Sequence, residues 1–165
     1  MAKLLHRNIS NFIHAVALDR FKMAFLSGPR QCGKTTLAKA IFPEDAMHRS
    51  WDQLTFKKAW QKNSDEVARE ALAHRKPSLV LDEFHKNPKW KNQLKGFYDT
   101  YGDKIKITVT GSSHLNTFRK GADSLMGRFV HFHLFPFSLG ELSQGEPVSF
   151  EEFRTFLLVL RQESF

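Results

Sequence analysis

The feature that most constrains this chain is the octapeptide at residues 28–35, which reads GPRQCGKT. It fits the Walker A pattern G-x-x-x-x-G-K-T, in which a glycine-rich turn joins a strand to a helix and its N–H groups surround phosphate oxygens. The flanks agree with this pattern: residues 22–26 are typical of a short buried strand, and residues 35–42 of a helix that ends before Pro43. The octapeptide therefore predicts a phosphate-binding loop.

Each fixed position of the predicted loop has a chemical role. Gly28 and Gly33 allow a tight turn, and the start of the following helix adds a partial positive charge. Lys34 is placed to neutralise the β- and γ-phosphates of a nucleotide, and the Thr35 hydroxyl to bind Mg²⁺. The predicted nucleotide contacts are Gly28, Pro29, Arg30, Gln31, Cys32, Gly33, Lys34, Thr35 and Thr36.

An acidic motif follows further along the chain. Residues 78–83 read SLVLDE, a buried strand that runs into two acids, as in the Walker B pattern. We predict that Asp82 holds Mg²⁺, directly or through water, opposite Thr35. Glu83 is then placed to orient and deprotonate the attacking water. An ordinary strand followed by a charged turn is the alternative, and the preceding Walker A loop makes it the weaker one.

The length and composition are those expected for one soluble domain. A chain of 165 residues suffices for a single core. No run of about eighteen apolar residues would span a membrane, and the first residues lack a secretory leader. Cys32 is the single cysteine, which excludes a disulfide framework. We therefore expect a cytoplasmic protein with no membrane partner.

The chain is basic, with a formal charge of +8 and a pI of about 9.7. This charge favours anionic partners, from nucleotide to nucleic acid. The basic residues are spread along the chain rather than gathered in one block, so a solvated basic surface explains the charge equally well. Nucleic acid therefore stays an open alternative as a partner.

The rest of the chain alternates helical and strand patterns. Strands are predicted at residues 47–51, 105–110 and 129–135, and helices at 8–20, 53–62, 65–74 and 88–101. Two capping boxes predict further helices, one opening at residues 138–141 and one at 149–152, the second leading into residues 150–161.

Polar side chains at two of these strands are further candidates for function. Thr110 ends the strand at 105–110 and Ser112 lies just after it, where a side chain could touch the γ-phosphate or the attacking water. Ordinary turn chemistry explains both residues equally well. His131 and His133 share one face of the last strand. A metal pair there is conceivable, but no cysteine or carboxylate lies at ligand spacing, so we favour structural or surface histidines.

Four strings, in this order and spacing, resemble the AAA-type ATPase family of prokaryotic ATP-binding proteins, which are AAA+-like P-loop ATPases of the archaeal-ATPase kind. They are GPRQCGKTTL, LVLDEFHKNPKWKNQLKGFYD, ITVTGSS and DSLMGRFVHFHLFPFSLGEL. The likeness runs from about residue 7 to residue 145. It implies an α/β fold, a three-layer α/β/α P-loop NTPase with a mainly parallel five-stranded sheet. In that sheet the strand carrying Ser112 at its end separates the Walker A and Walker B strands.

The resemblance also implies site residues, with ATP and Mg²⁺ as cofactors. It carries over Lys34 and Thr35 as ATP and Mg²⁺ contacts, Asp82 as the metal residue and Glu83 as the catalytic acid, and it places Ser112 in the sensor region. Arg128 matches an arginine just before the last core strand. In related modules this arginine reaches the γ-phosphate of a neighbouring subunit, so Arg128 would act in trans in a homo-oligomer; a surface arginine is the alternative.

Members of this family carry a further C-terminal domain. We therefore expect residues 1–145 to form the ATPase domain and residues 146–165 to begin a truncated helical region. The expected function is ATP binding and Mg²⁺-dependent hydrolysis, coupled to a conformational change on an unknown client. A non-catalytic nucleotide switch and a small P-loop phosphotransferase are the alternatives.

Overall fold

A computed structural model describes residues 7, 9–42, 46–112 and 125–142 of the chain. The chain divides into two compact units, residues 9–136 and residues 1–8 with 137–165. The larger unit contains the sheet and all the candidate site residues.

Helices and strands alternate along the larger unit, as the sequence predicts. In chain order they are α1 (Ile9–Val16), β1 (Met23–Ser27), α2 (Lys34–Ile41), β2 (Met47–Ser50), α3 (Leu54–Lys62), α4 (Ser64–Leu72), β3 (Ser78–Asp82), α5 (Trp90–Tyr101), β4 (Lys106–Thr110) and β5 (Phe129–His133). The largest difference concerns the helix predicted at 8–20. Its α-helical part ends at Val16 and a 3-10 turn follows at Leu18–Arg20, because Phe21 adopts a left-handed φ of 53° and donates its N–H to the Leu18 carbonyl.

The five strands form one sheet in the order β2-β3-β4-β1-β5, and every pair is parallel. The prediction of a mainly parallel five-stranded sheet is therefore confirmed. The position of β4 between β1, which leads into the glycine-rich loop, and β3, which ends in the acidic motif, is also confirmed. The carboxyl ends of parallel strands share one edge of the sheet, and in open α/β folds ligands bind there. The glycine-rich loop, Asp82 and Thr110 accordingly meet at this edge.

Helices cover both faces of the sheet, which gives the three-layer α/β/α arrangement. Alternate residues of a strand point to opposite faces. One face packs against α1 and α2, and its strand residues include Ala24, Leu26, Val80 and Phe132. The other face packs against α3, α4 and α5, and its strand residues include Phe25, Leu79, Leu81 and Val109. Among the described residues, no helix is long and apolar enough to cross a membrane.

An aromatic cluster fixes the turn that follows β3. Phe84 is fully buried, with ring centroids 5.2 Å from Trp51 and 4.9 Å from Trp60, both edge to face. The Trp60 indole also donates a hydrogen bond to Gln93 on α5 (3.1 Å). This packing holds Phe84 in the 3-10 turn Phe84–Lys86, directly after the acidic motif.

In the smaller unit, the first capping box forms as predicted. The Ser138 N–H donates to Glu141 Oε2 (3.0 Å), the Glu141 N–H donates to Ser138 Oγ (3.2 Å), and a short helix α6 (Leu139–Leu142) follows. The second box, the helix at 150–161 and the domain boundary at residue 145 lie outside the described residues and stay predictions.

We expect Phe84→Ala to lower the free energy of unfolding by about 3–5 kcal/mol, because it leaves a cavity beneath the site. Urea unfolding followed by far-ultraviolet circular dichroism measures the change. Phe135→Ala is the matched control, since the Phe135 side chain is 65% exposed and its loss should cost less than about 1 kcal/mol. Equal costs for the two variants would contradict the role assigned to Phe84.

Candidate functional site

The glycine-rich loop joins β1 to α2 in a backbone conformation that requires its two glycines. Gly28 has a φ of 151° and Gly33 a φ of 88°. A Cβ atom on Gly28 would lie 2.1 Å from the carbonyl oxygen of Leu134, just after β5. Gly28 is therefore needed both for its positive φ and for close packing against Leu134, whereas Gly33 is needed for its positive φ.

The Lys34 side chain folds back over this loop and is 8% exposed. Its Nζ donates to the carbonyl oxygens of Gly28 (3.1 Å) and Pro29 (2.5 Å), and lies 3.9 Å from Cys32 Sγ. The ammonium charge is thus held at the concave side of the loop by neutral acceptors.

One oxygen of Asp82 connects three elements at the carboxyl edge of the sheet. Asp82 Oδ1 accepts a hydrogen bond from the Thr35 hydroxyl on α2 (2.9 Å) and another from the Thr110 hydroxyl on β4 (2.5 Å). Thr110 is fully buried, and its Oγ1 also accepts the Glu83 N–H (3.2 Å). Hydroxyl and carboxylate oxygens are the donors that Mg²⁺ prefers, so the chemistry of Thr35 and Asp82 fits that ion.

Glu83 follows directly, in a left-handed conformation with a φ of 54°. Its Oε2 lies 3.4 Å from Lys86 Nζ and 3.8 Å from His85 Nε2. Lys86 is held mainly by Asp52 (2.7 Å), and that hydrogen bond raises the pKa of the Lys86 ammonium, with a smaller contribution from Glu83. A non-glycine residue in this conformation is uncommon and clusters at functional sites.

Ser112 lies beyond the end of β4, and its hydroxyl is 3.2 Å from His85 Nε2. Of the two sensor candidates, Thr110 therefore contacts Asp82 and Ser112 contacts the turn after Glu83. Sequence reasoning overlooked His85. Its closeness to the acidic motif was the available signal, but the 3-10 turn that brings its ring back toward Glu83 was not predicted.

Arg128 is not brought to this edge within the chain. It directly precedes β5, and its carbonyl accepts the N–H of Met23 at the start of β1 (2.9 Å), so it lies at the amino edge of the sheet. Its Nε donates to Asp99 Oδ1 (2.6 Å), and this hydrogen bond lowers the pKa of Asp99. The action of Arg128 on a neighbouring subunit stays a prediction.

The two histidines of β5 contact one buried hydroxyl. Ser27 Oγ lies 2.7 Å from His131 Nε2 and 3.2 Å from His133 Nδ1, and Ser27 is fully buried. Burial lowers the pKa of His131. Within the described part of the chain, no group of three or more metal-ligating side chains is present. The contacts instead join the edge strand to the residue that precedes the glycine-rich loop.

Comparison with known structures gives the same fold. One similar structure is a signal transduction ATPase with numerous domains from Pyrococcus horikoshii, which has a tetratricopeptide repeat sensor. It matches with a TM-score of 0.60 and 16% identity, over 94% of this chain and 28% of its own. DnaA from Aquifex aeolicus, bound to AMPPCP, matches with a TM-score of 0.54 and 15% identity, over 95% of this chain and 60% of its own. The ORC1 protein of Aeropyrum pernix, in complex with DNA, matches with a TM-score of 0.56 and 15% identity, over 87% of this chain and 49% of its own.

At these identities the structural likeness shows the fold alone, and this chain spans between 28% and 60% of the length of those three proteins. The comparison with curated proteins found no match. A sequence model of the family described as "AAA domain" matches residues 20–143, which is more than half of the chain. The chain therefore belongs to the AAA domain family and has the fold of an AAA-type P-loop ATPase.

Proposed function

We propose that this chain binds ATP with Mg²⁺ at residues 28–36 and hydrolyses it to ADP and phosphate. The observation that carries the proposal is the contact between Thr35 Oγ1 and Asp82 Oδ1, at 2.9 Å. These side chains come from separate motifs and meet beside the loop that holds the Lys34 ammonium. A cationic loop next to paired oxygen donors fits a metal-bound triphosphate.

The loop residues bind the phosphates in this proposal. Backbone N–H groups of residues 28–36, except Pro29, which has none, surround phosphate oxygens, and α2 directs its positive end at them. Lys34 exchanges its neutral carbonyl acceptors for phosphate oxygens, which form stronger hydrogen bonds because both partners are then charged. Thr35 and Asp82 hold Mg²⁺, which when bound neutralises phosphate charge. Cys32 and Gln31 take part through their backbone.

Glu83 is the general base of the proposed reaction. Its carboxylate accepts a proton from water as the water oxygen bonds to the γ-phosphorus. The bond from that phosphorus to the bridging oxygen breaks, and the bridging oxygen leaves as part of ADP. Glu83 adjoins the metal residue Asp82 and is 25% exposed at its side chain, so a water molecule can reach it. The Ser112 hydroxyl contacts His85, whose ring lies beside the Glu83 carboxylate.

Arg128 completes the proposed site from a second copy of the chain. It lies at the edge of the sheet opposite the loop and is 30% exposed at its side chain. Its pair with Asp99 is also open to solvent, and water screens such pairs, so the guanidinium can exchange that carboxylate for a γ-phosphate. If Arg128 acts on a neighbouring copy in this way, the chain must form a homo-oligomer.

Nucleic acid is the client that we propose for the coupled conformational change. The charge of +8 supports an anionic client. Among the structures that resemble this chain, a DnaA is bound to single-stranded DNA and an ORC1 protein is in complex with DNA. A phosphotransferase would need an acceptor in place of water, and the acid directly after Asp82 favours water.

Lys34→Ala should weaken ATP binding at least about 100-fold, because two or more charge-assisted bonds are worth about 3 kcal/mol together. Isothermal titration calorimetry with Mg²⁺ and ATP measures this. Lys39→Ala, on an exposed position of the same helix, should bind ATP as the unaltered chain does. Equal affinities for the two variants would exclude Lys34 from the phosphate site.

Glu83→Gln should keep ATP affinity within about threefold and reduce hydrolysis by about 10²–10⁴-fold, since the amide cannot accept the proton from water. Release of inorganic phosphate under saturating Mg²⁺ and ATP measures the rate. An unchanged rate of hydrolysis in Glu83→Gln would exclude Glu83 as the general base. ATP binding without hydrolysis by the unaltered chain would indicate the nucleotide switch instead.

Cys32 is 6% exposed, so N-ethylmaleimide reaches its thiol only when the loop opens. Bound ATP should slow this alkylation, because phosphates would hold the loop closed around Lys34. At an ATP concentration 100 times the Kd, the alkylation rate should fall by about 100-fold, in proportion to the free fraction. Mass spectrometry of the single cysteine gives the rate. The Lys34→Ala variant, with an affinity about 100-fold lower, should show at most about twofold protection at the same concentration. Protection as strong as that of the unaltered chain would place the nucleotide elsewhere.

A further inference from the structure

His85 occupies a position between the ends of two neighbouring strands. Its Nε2 lies 3.2 Å from the Ser112 hydroxyl, after β4, and 3.8 Å from Glu83 Oε2, after β3. The His85 side chain is 15% exposed. One ring nitrogen therefore faces both the proposed general base and the sensor candidate.

The backbone beneath His85 is firmly held. The Lys86 N–H donates to the Glu83 carbonyl (3.0 Å), and the Asn87 N–H donates to the Phe84 carbonyl (3.0 Å). Asn87 is buried, and its side-chain amide donates to Gln93 Oε1 on α5 (2.6 Å). Phe84 is fixed by the aromatic cluster, so the His85 ring projects from a turn with little freedom.

The Glu83 carboxylate has two basic neighbours, and His85 is the more sheltered. Lys86 is 43% exposed at its side chain and donates to both oxygens of Asp52, at 2.8 and 2.7 Å. Exposed ion pairs are weak because water screens them and long side chains lose conformational freedom. His85 Nε2 lies further from Glu83 Oε2 (3.8 Å) than Lys86 Nζ does (3.4 Å), but its short, planar side chain stands on a fixed turn in a shielded position and loses less conformational freedom when it approaches the carboxylate.

We propose that His85 is a positioning residue for ATP hydrolysis, which orients the Glu83 carboxylate toward water and links it to the Ser112 hydroxyl. This inference rests on the function proposed above. A proton on Nε2 serves the carboxylate or the hydroxyl oxygen, and the hydroxyl can itself donate when the nitrogen is unprotonated. The Ser112 hydroxyl and the Glu83 carboxylate both face this one nitrogen, so the three side chains form one unit.

A positioning residue affects the chemical step more than the binding of ATP. We expect His85→Ala to lower kcat by about 10–100-fold, the range seen when a supporting hydrogen-bond partner is lost, with KM for ATP within about twofold. His85→Gln keeps an N–H donor and should retain most of kcat. His85→Phe fills the space without a donor and should resemble His85→Ala.

The link to Ser112 is tested by a double-mutant cycle. Ser112→Ala should lower kcat, and His85→Phe combined with Ser112→Ala should be no slower than the slower single variant, because both act through one contact. His74→Gln is the matched control. His74 follows α4 and precedes the start of β3, at the edge of the sheet away from the site, so its loss should leave kcat unchanged.

Steady-state phosphate release and titration calorimetry on the full chain separate the outcomes. If the unaltered chain binds ATP without hydrolysing it, the proposed function fails and this role fails with it. If the unaltered chain hydrolyses ATP and His85→Phe is as fast as His74→Gln, only the role of His85 is overturned. Equal kcat values for His85→Phe and His85→Gln, additive effects with Ser112→Ala, or a change in KM alone would also overturn it. Melting temperatures identify any variant that does not fold, and the comparison of His85→Phe with His85→Gln then decides.

Discussion

The geometry of the site depends on one carboxylate oxygen that is shared by two hydroxyls. Asp82 Oδ1 accepts from Thr35 and from Thr110, so it connects the helix after the glycine-rich loop with two neighbouring strands. Thr110 also accepts the backbone N–H of Glu83, which fixes the residue after the carboxylate. Both threonine donors are neutral, and hydrogen bonds to an ionised acceptor are stronger than those between neutral groups. A single acid thereby sets the relative positions of the two sequence motifs.

The order of the strands makes this contact available. Since β4 lies between β1 and β3, Thr110 pairs in register with Leu26 and lies beside both the glycine-rich loop and the acidic motif. A direct pairing of β1 with β3 would put Asp82 next to the loop but leave no strand to supply the Thr110 hydroxyl. A parallel arrangement also requires crossover connections between strands. Among the described residues, α2 connects β1 to β2, α3 and α4 connect β2 to β3, and α5 connects β3 to β4, and these helices lie on the two faces of the sheet.

Much of the fold could be predicted from the sequence. The helices, the strands and the two motifs of the candidate site follow from local patterns, whereas the strand order follows from the family resemblance. The octapeptide at 28–35 and the run at 78–83 carry fixed residue types between recognisable strands and helices. What could not be predicted depends on tertiary geometry. Thr110 and Ser112 are equivalent as polar residues at a strand end, and only the contact with Asp82 separates them. His85 is brought back by a left-handed Glu83, a conformation that no propensity assigns to glutamate.

The edge strand β5 shows how the loop is joined to the rest of the sheet. Its carboxyl end meets the loop twice, because the Leu134 N–H donates to the Ser27 carbonyl (2.7 Å) and the Leu134 carbonyl leaves no room for a Cβ on Gly28. Its amino end begins after Arg128, which is tied to Asp99 on α5. A strand of five residues spans roughly 16 Å. The arginine proposed to act on a neighbouring subunit therefore adjoins the same strand that shapes the glycine-rich loop of its own chain.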